Sequence, residues 1–247
     1  MERWMKGVLG VVILNFITLS MFHALHRKIG WVPLGLMSFA LLYLLIRLSG
    51  YSGEELGLGG GFDLRFHIFL PLFAMLLNFL WIVPLGIGIN TFGKPLKVAL
   101  LIYIAMLIKY LVFVALYEEL MWRGLFQVAL EDKLGRGWKV VLVTAFLFAL
   151  SHLTLRPSFW RFYNPFLLGI TYSVYRWKFR RIEGLVLAHG LGDFLDRITT
   201  IEKVDWLTKT PQGIVYLIST FTVTQMFLVF MYLKIAERVD VGKEVLG

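Results

Sequence analysis

Long apolar stretches separated by short polar segments dominate the chain. Most of these stretches are near the twenty residues that a helix needs to cross a hydrocarbon core of about 30 Å. They lack the strict alternation of a membrane barrel, so we predict helices that satisfy their own backbone hydrogen bonds. The predicted spans are residues 8–25, 32–49, 67–88, 98–130, 139–155, 163–177, 182–197 and 212–234. The expected fold is an all-α polytopic membrane protein with about eight transmembrane helices in one bundle.

Composition supports this prediction and narrows the chemistry. The chain is 58% hydrophobic and 16% aromatic, which is too apolar for an ordinary soluble domain. No segment is long enough to fold alone outside the membrane, so residues 1–247 are predicted to form a single membrane-embedded domain, with a motif-bearing catalytic core at about 98–197. The absence of cysteine excludes disulfides, thiolate nucleophiles and cysteine-bound metals.

The net charge of +9 is interpreted as a topological signal and not as a nucleic-acid footprint. With eight spans, 14 lysines and arginines lie on the side of the two termini and nine lie on the other side. The positive-inside bias therefore predicts cytoplasmic termini in a multi-pass protein of the cell membrane, if the host is prokaryotic. The expected partners are the lipid bilayer and a membrane-anchored peptide or protein, with no nucleic acid.

Charged side chains at membrane depth are costly unless they are paired or hydrated, so each one is a functional candidate. Glu119 and Arg123 are separated by four residues and are predicted to pair on one helix face. Glu118 is offset from Glu119 by about 100°, which leaves it as the unpaired carboxylate. The alternative is an interfacial cluster, because a helix from 98 to 130 is about 50 Å long and extends beyond the bilayer core.

Two further motifs carry titratable side chains on neighbouring spans. The first is "FALSH", Phe148 to His152, and the second is "HGLGD", His189 to Asp193, in which two glycines permit close approach of another helix. Taken singly, His152 could be a packing residue, and His189 with Asp193 could link two helices. Taken together with Glu118, they place unpaired acid–base groups on three helices, which is hard to explain by packing alone.

Two mechanisms are compatible with these residues. In the first, Glu118 is a general base that holds a water with His152, while His189 stabilises the developing oxyanion. In the second, Glu118, His152 and His189 bind a metal such as zinc, although the HExxH spacing of most zinc proteases is missing. A serine triad is not expected, because Ser151 is adjacent to His152 and should point away from it on a helix.

The three motifs resemble those of a known family. "EELMWR" (118–123) is similar to the EExxxR motif, "FALSH" (148–152) to the FxxxH motif and "HGLGD" (189–193) to the HxxxN/D motif of the type II CAAX prenyl endopeptidase and bacteriocin-processing family (CPBP, ABI). The resemblance implies an eight-helix intramembrane glutamate protease that needs no cofactor or metal. It also implies that Glu118 is the base, that His152 shares the water, and that His189 and residue 193 form the oxyanion site.

The same resemblance gives Glu119, Arg123 and Phe148 supporting roles, and it leaves the substrate open. Family members remove the last three residues after a prenylated cysteine or process other membrane-bound peptides, and some are known only for bacteriocin immunity. Asp193 replaces an asparagine, so it either is protonated or orients His189 as an acceptor, and we favour orientation. The alternatives to a glutamate protease are a non-catalytic scaffold or immunity-type protein and a zinc-dependent membrane protease.

Overall fold

A computed structural model describes residues 2–59, 61–153 and 158–246, and the side chains of residues 2–239 within these ranges. Nine helices and one pair of short strands are present in these ranges. The helices are α1 (Arg3–Ile29), α2 (Trp31–Ser49), α3 (Arg65–Leu85), α4 (Leu96–Leu134), α5 (Trp138–Leu153), α6 (Phe159–Phe179), α7 (Glu183–Ile198), α8 (Val204–Lys209) and α9 (Pro211–Leu246). The strands are β1 (Ile87–Ile89) and β2 (Thr199–Ile201).

Each predicted span coincides with a helix, and the all-α polytopic fold is confirmed. The third predicted span corresponds to the 21-residue helix Arg65–Leu85, which begins with a π-helical segment, Arg65–Phe69, and ends with a 3-10 turn, Val83–Leu85, before β1. Residues 154 and 155 of the fifth predicted span lie outside the described residues. Among the described helices, five are long and apolar enough to cross a membrane and α5 is a shorter apolar helix, so the count of eight spans stays a prediction.

The outer surface of the bundle is apolar, as expected for a protein in contact with lipid. Large side chains on several helices are more than half exposed, including Ile13 at 59%, Leu101 at 67% and Val223 at 66%. Exposed apolar surface on this scale marks contact with a membrane or with another protein. Together with the long apolar helices, it identifies an integral membrane protein.

Two packed cores meet at the middle of the bundle. One joins α1, α2 and the second half of α4, and the other joins α3, α6, α7 and α9. Helix α5 contributes to both, because Val140 and Phe148 are in the first core and Val141 is in the second. The candidate residues on α4, α5 and α7 therefore lie where the two cores meet.

The bundle has two distinct ends. At the terminal end, defined by Arg3 and residues 131–137, Arg3 contacts both Glu55 and Asp132 at 2.8 Å. At the strand end, defined by β1 and β2, the two strands pair antiparallel with Gly88 opposite Thr200. Helix α4 runs from the strand end to the terminal end, and its 39 residues span about 58 Å. Helix α7 runs in the opposite direction and leads directly into β2.

Candidate active site

Helix α4 changes its winding around the two adjacent glutamates. The segments Lys109–Leu116 and Leu120–Phe126 are π-helical, and the α-helical turn Tyr117–Glu119 lies between them. A π-helical segment has i to i+5 hydrogen bonds and often accompanies functional sites. Because its winding differs from 3.6 residues per turn, side-chain directions calculated for a straight α-helix do not hold along this part of α4.

The predicted pair between Glu119 and Arg123 is present. The Nη1 atom of Arg123 lies 3.3 Å from Oε1 of Glu119, and both side chains are completely buried. The guanidinium of Arg123 also lies over the ring of Phe148 at 4.1 Å and that of Tyr172 at 5.5 Å. These rings belong to different cores, so Arg123 connects α4 to both α5 and α6 through cation–π contacts.

His189 on α7 contacts the same glutamate. Its Nδ1 atom lies 2.8 Å from Oε1 of Glu119, which is the distance of a charge-assisted hydrogen bond. The helical spacing alone suggested that Arg123 is the only partner of Glu119. In the structure, Glu119 has a second partner. It links Arg123 on its own helix to His189 on another.

The close approach of α7 to α4 depends on Gly190. A Cβ atom built at Gly190 would lie 2.8 Å from the Cα of Leu111 and 3.0 Å from the carbonyl oxygen of Tyr110. No side chain can be accommodated there without moving one helix. At Gly192, in contrast, a Cβ would meet only the Cγ of Met75 at 3.8 Å. Of the two glycines predicted to permit close approach, Gly190 does so against α4.

The second nitrogen of His189 faces the other two carboxylates. Its Nε2 atom lies 3.9 Å from Oε2 of Glu118 and 3.6 Å from Oδ2 of Asp193, both longer than a hydrogen bond. The imidazole is oriented by the hydrogen bond that its Nδ1 donates to Glu119, whereas Asp193, the residue expected in this role, lies beside Nε2. Glu118 and Glu119 thus approach one imidazole from opposite nitrogens, despite their angular offset on α4.

Glu118 differs from Glu119 in its exposure and its contacts. Its side chain is 25% exposed, whereas that of Glu119 is completely buried. The Oε2 atom of Glu118 is buried and has no hydrogen-bond partner among the described residues. The same is true of Oε2 of Glu119, so the two carboxylates differ in position: Glu118 lines a cavity and Glu119 does not.

His152 is oriented by its own helix. Its Nδ1 atom lies 2.9 Å from the carbonyl oxygen of Phe148 and 3.4 Å from Oγ of Ser151. A proton on Nδ1 donated to that carbonyl leaves Nε2 as the reactive nitrogen. The expectation that Ser151 points away from His152 is wrong, because its hydroxyl turns back to donate to the Phe148 carbonyl at 2.7 Å. In the FxxxH motif, Phe148 therefore supports both Arg123 and His152.

One cavity brings the predicted residues together. It has a volume of about 690 Å³, and Glu118, His152, His189 and Asp193 all line it. Its lining continues to β2 and α8, and its exposed members lie at the strand end of the bundle. Glu119 and Arg123 lie behind this lining. The cavity is large enough for a peptide segment and its water.

Other lining residues were not identified from the sequence. They include Tyr110, Arg161, Tyr172 and Arg197. For Arg197 a signal was present, since it follows His189 and Asp193 at the same four-residue spacing on α7. The tyrosines carried no such signal, because aromatic residues are common in membrane helices.

Among the described residues, no group of three or more His, Asp or Glu side chains is arranged to hold a metal ion. The carboxylates of Glu118, Glu119 and Asp193 instead surround the imidazole of His189, each within 4 Å of one of its nitrogens. The geometry thus defines a membrane-embedded acid–base site between α4, α5 and α7. This class of site is suited to activating a water against a carbonyl group.

Comparison with known proteins finds a family model that matches part of the chain. Residues 100–195 match the family described as Type II CAAX prenyl endopeptidase Rce1-like. The matched segment contains all three motifs, and the resemblance inferred from them is confirmed. No curated protein and no solved structure matches the chain. The family is one of proteases, which agrees with the acid–base site in the cavity.

Proposed function

We propose that the protein is an intramembrane endopeptidase in which Glu118 activates a water for attack on a peptide bond. The observation that carries this proposal is the division between the two glutamates. Glu119 is completely buried and bound to Arg123 and His189, whereas Glu118 is 25% exposed and lines the cavity. A general base needs a free acceptor within reach of the proton that it removes.

In the proposed reaction, Glu118 removes a proton from a water that is also held by Nε2 of His152. The resulting hydroxide adds to the scissile carbonyl carbon, and the carbonyl oxygen becomes an oxyanion. Glu118 then gives its proton to the departing amine as the carbon–nitrogen bond breaks. Such acid–base assistance contributes about 10²–10⁴-fold to rate, and the products are a carboxylic acid and a free amine.

His189 is proposed to stabilise the oxyanion. When Nδ1 donates to Glu119, a second proton on Nε2 makes His189 a cation that can donate to the oxyanion. The carboxylates of Glu118, Glu119 and Asp193 all lie within 4 Å of a ring nitrogen of His189. Their negative charges would offset that positive charge. Asp193 would then act through His189, because it lies beside the nitrogen that faces the substrate.

The substrate is proposed to be a membrane-tethered peptide, of which a prenylated CAAX-type chain is one example. The cavity lining combines polar groups with large apolar side chains, among them Phe79, Leu168, Leu217 and Phe221. Such a surface accommodates an acyl or isoprenoid chain next to a peptide. The positive-inside bias supports cytoplasmic termini, which places the cavity mouth at the opposite end of the bundle.

The proposal is tested with a lipid-anchored fluorogenic peptide and purified protein. Glu118→Gln should lower kcat by at least about 10²-fold with unchanged thermal unfolding, and His152→Ala should lower it comparably. Glu54→Gln, which removes an exposed carboxylate at the terminal end, is the matched control and should be fully active. Full activity in Glu118→Gln would contradict the proposed role of Glu118 and favour the alternative that the motif residues form a non-catalytic scaffold.

A further inference from the structure

The two short strands at the strand end pair through alternate residues. Gly88 lies opposite Thr200, and the amide nitrogen of Asn90 donates to the carbonyl oxygen of Ile198 at 2.7 Å. In an antiparallel pair, hydrogen-bonded and non-hydrogen-bonded positions alternate. Because Ile198 is hydrogen-bonded to the chain of β1, the backbone groups of Thr200, two residues on, also point towards β1. Those of the two residues on either side of Thr200 point away from β1.

Thr199 and Ile201 form the free edge of β2, which is the side of the strand that faces away from β1. The amide nitrogen of Thr199 donates to the carbonyl of Leu195 at the end of α7. The carbonyl of Thr199 and both backbone groups of Ile201 have no hydrogen-bond partner among the described residues. Backbone groups of this kind normally find a partner, and an unpaired strand edge is a template for another extended chain.

The residues of this free edge are part of the wall of the site cavity. Thr199 and Ile201 line the cavity, whereas Thr200 between them and the three residues of β1 do not. The wall continues along α7, because His189 and Asp193 line the same cavity. A peptide that is held at β2 can therefore extend along α7 to the acid–base residues.

We propose that the free edge of β2 binds the substrate peptide as an added β-strand, through the carbonyl of Thr199 and the two backbone groups of Ile201. The proposal rests on the proposed peptidase activity and adds to it the surface that extends and aligns the peptide. In strand addition, main-chain hydrogen bonds supply affinity and side-chain pockets supply specificity. The edge of β2 therefore selects an extended backbone and not a particular sequence.

The length of α7 sets the distance between the paired residues and the scissile bond. Thr199 follows His189 by ten residues, which corresponds to about 15 Å along the helix axis. An extended peptide advances about 3.3–3.6 Å per residue, so about four residues bridge this distance. The substrate residues that pair with β2 are therefore expected about four positions from the scissile bond.

The first test is a scan of a lipid-anchored peptide, cleaved by the wild-type protein, in which one backbone nitrogen at a time carries a methyl group. The carbonyls of Thr199 and Ile201 each accept one substrate N–H, and these two N–H groups lie two residues apart in the peptide. Methylation should therefore lower kcat/KM at two positions, about four residues from the scissile bond, and be tolerated at the position between them. Each loss should be about 2-fold to 10-fold and appear mainly in KM.

The second test removes the N–H of the free edge from the protein. Ile201→Pro deletes that donor without deleting a hydrogen bond to β1, and proline is tolerated at strand edges of this kind. It should raise KM by about 2-fold to 10-fold and weaken the pattern of the methyl scan. Ile201→Ala shortens the side chain but keeps the N–H, so the pattern should remain.

Ile87→Pro is the matched control for the proline variant. Ile87 lies directly opposite Ile201 and has the equivalent position on β1, but it is outside the cavity lining. It should retain the wild-type KM and the pattern of the scan. Uniform tolerance of methylation away from the scissile bond, or a wild-type KM and pattern in Ile201→Pro, overturns the proposal. The scan uses the wild type, so it stands even if a proline variant fails to fold.

Binding separates this proposal from the peptidase mechanism. The same methylated peptides are titrated against Glu118→Gln, which keeps the edge of β2 intact. If the wild type cleaves no peptide, the mechanism fails, but weaker binding at two positions separated by one tolerant residue still supports strand addition. Equal binding of all the methylated peptides counts against it.

Discussion

Substitutions of the buried pair Glu119 and Arg123 should affect the stability of the protein and its catalytic activity differently. Replacing Arg123 alone, as Arg123→Leu, leaves a completely buried carboxylate with His189 as its remaining partner. Breaking a buried ion pair costs about 3–5 kcal/mol. The contact of Glu119 with His189 should keep the loss to about 3 kcal/mol, which is a large part of a typical stability of about 5–15 kcal/mol.

The double variant Glu119→Leu/Arg123→Leu should recover most of this stability. Replacing both members of a buried pair with packed apolar side chains is often neutral or stabilising. Activity should not recover, because Nδ1 of His189 has lost its acceptor and the imidazole is no longer oriented. Thermal unfolding in detergent measures the first effect, and kcat on a lipid-anchored peptide measures the second.

The chain provides a matched control for this experiment. Asp205 and Lys209 have the same four-residue spacing, but their side chains are 77% and 69% exposed. Replacing both should change stability by less than about 1 kcal/mol and leave activity intact. The reasoning is refuted if the double variant at Glu119 and Arg123 retains near wild-type kcat, or if Arg123→Leu is as stable as the wild type.

Three further predictions use other features of the site. Gly190→Ala should destabilise the protein by about 1–3 kcal/mol and lower kcat, because the added methyl group displaces α7. Gly192→Ala is the control and should unfold at the wild-type temperature. A wild-type kcat in Gly190→Ala would contradict the close approach of α7 to α4. Chelation of metal should leave activity unchanged, and a loss restored by zinc would favour the metalloprotease. Because the chain has no cysteine, Lys133→Cys and Lys94→Cys can report topology in intact cells. A thiol reagent that does not cross the membrane should label Lys94→Cys and not Lys133→Cys. Labelling of Lys133→Cys alone would show that the orientation is opposite to the predicted one.

The sequence was sufficient to predict the helices and the acid–base residues that line the cavity, because both carry a signal in local spacing. Apolar length predicted the spans, and the i to i+4 rule predicted the pair of Glu119 with Arg123. The bond between Glu119 and His189 could not be predicted in this way. It joins residues 70 positions apart and depends on how closely α7 approaches a π-helical part of α4.

Side-chain rotation accounts for the other corrections. The hydroxyl of Ser151 turns back to the carbonyl of Phe148, which periodicity along a helix does not encode. Asp193 follows His189 at the spacing of a helical contact, but its carboxylate faces Nε2 and not Nδ1. Spacing therefore identified which residues meet, and the choice between two ring nitrogens required the three-dimensional arrangement.

The direction of the cavity has a consequence for the substrate. Its exposed lining, including Arg161 and Arg197, lies at the strand end, whereas the excess of positive charge predicts that the terminal end faces the cytoplasm. A substrate would then enter from the side of the membrane opposite the termini, with its lipid anchor in that leaflet. If labelling instead places the strand end in the cytoplasm, the same cavity accepts chains lipidated there. The orientation of the bundle thus decides which leaflet supplies the substrate, while the proposed reaction at Glu118 is the same in both cases.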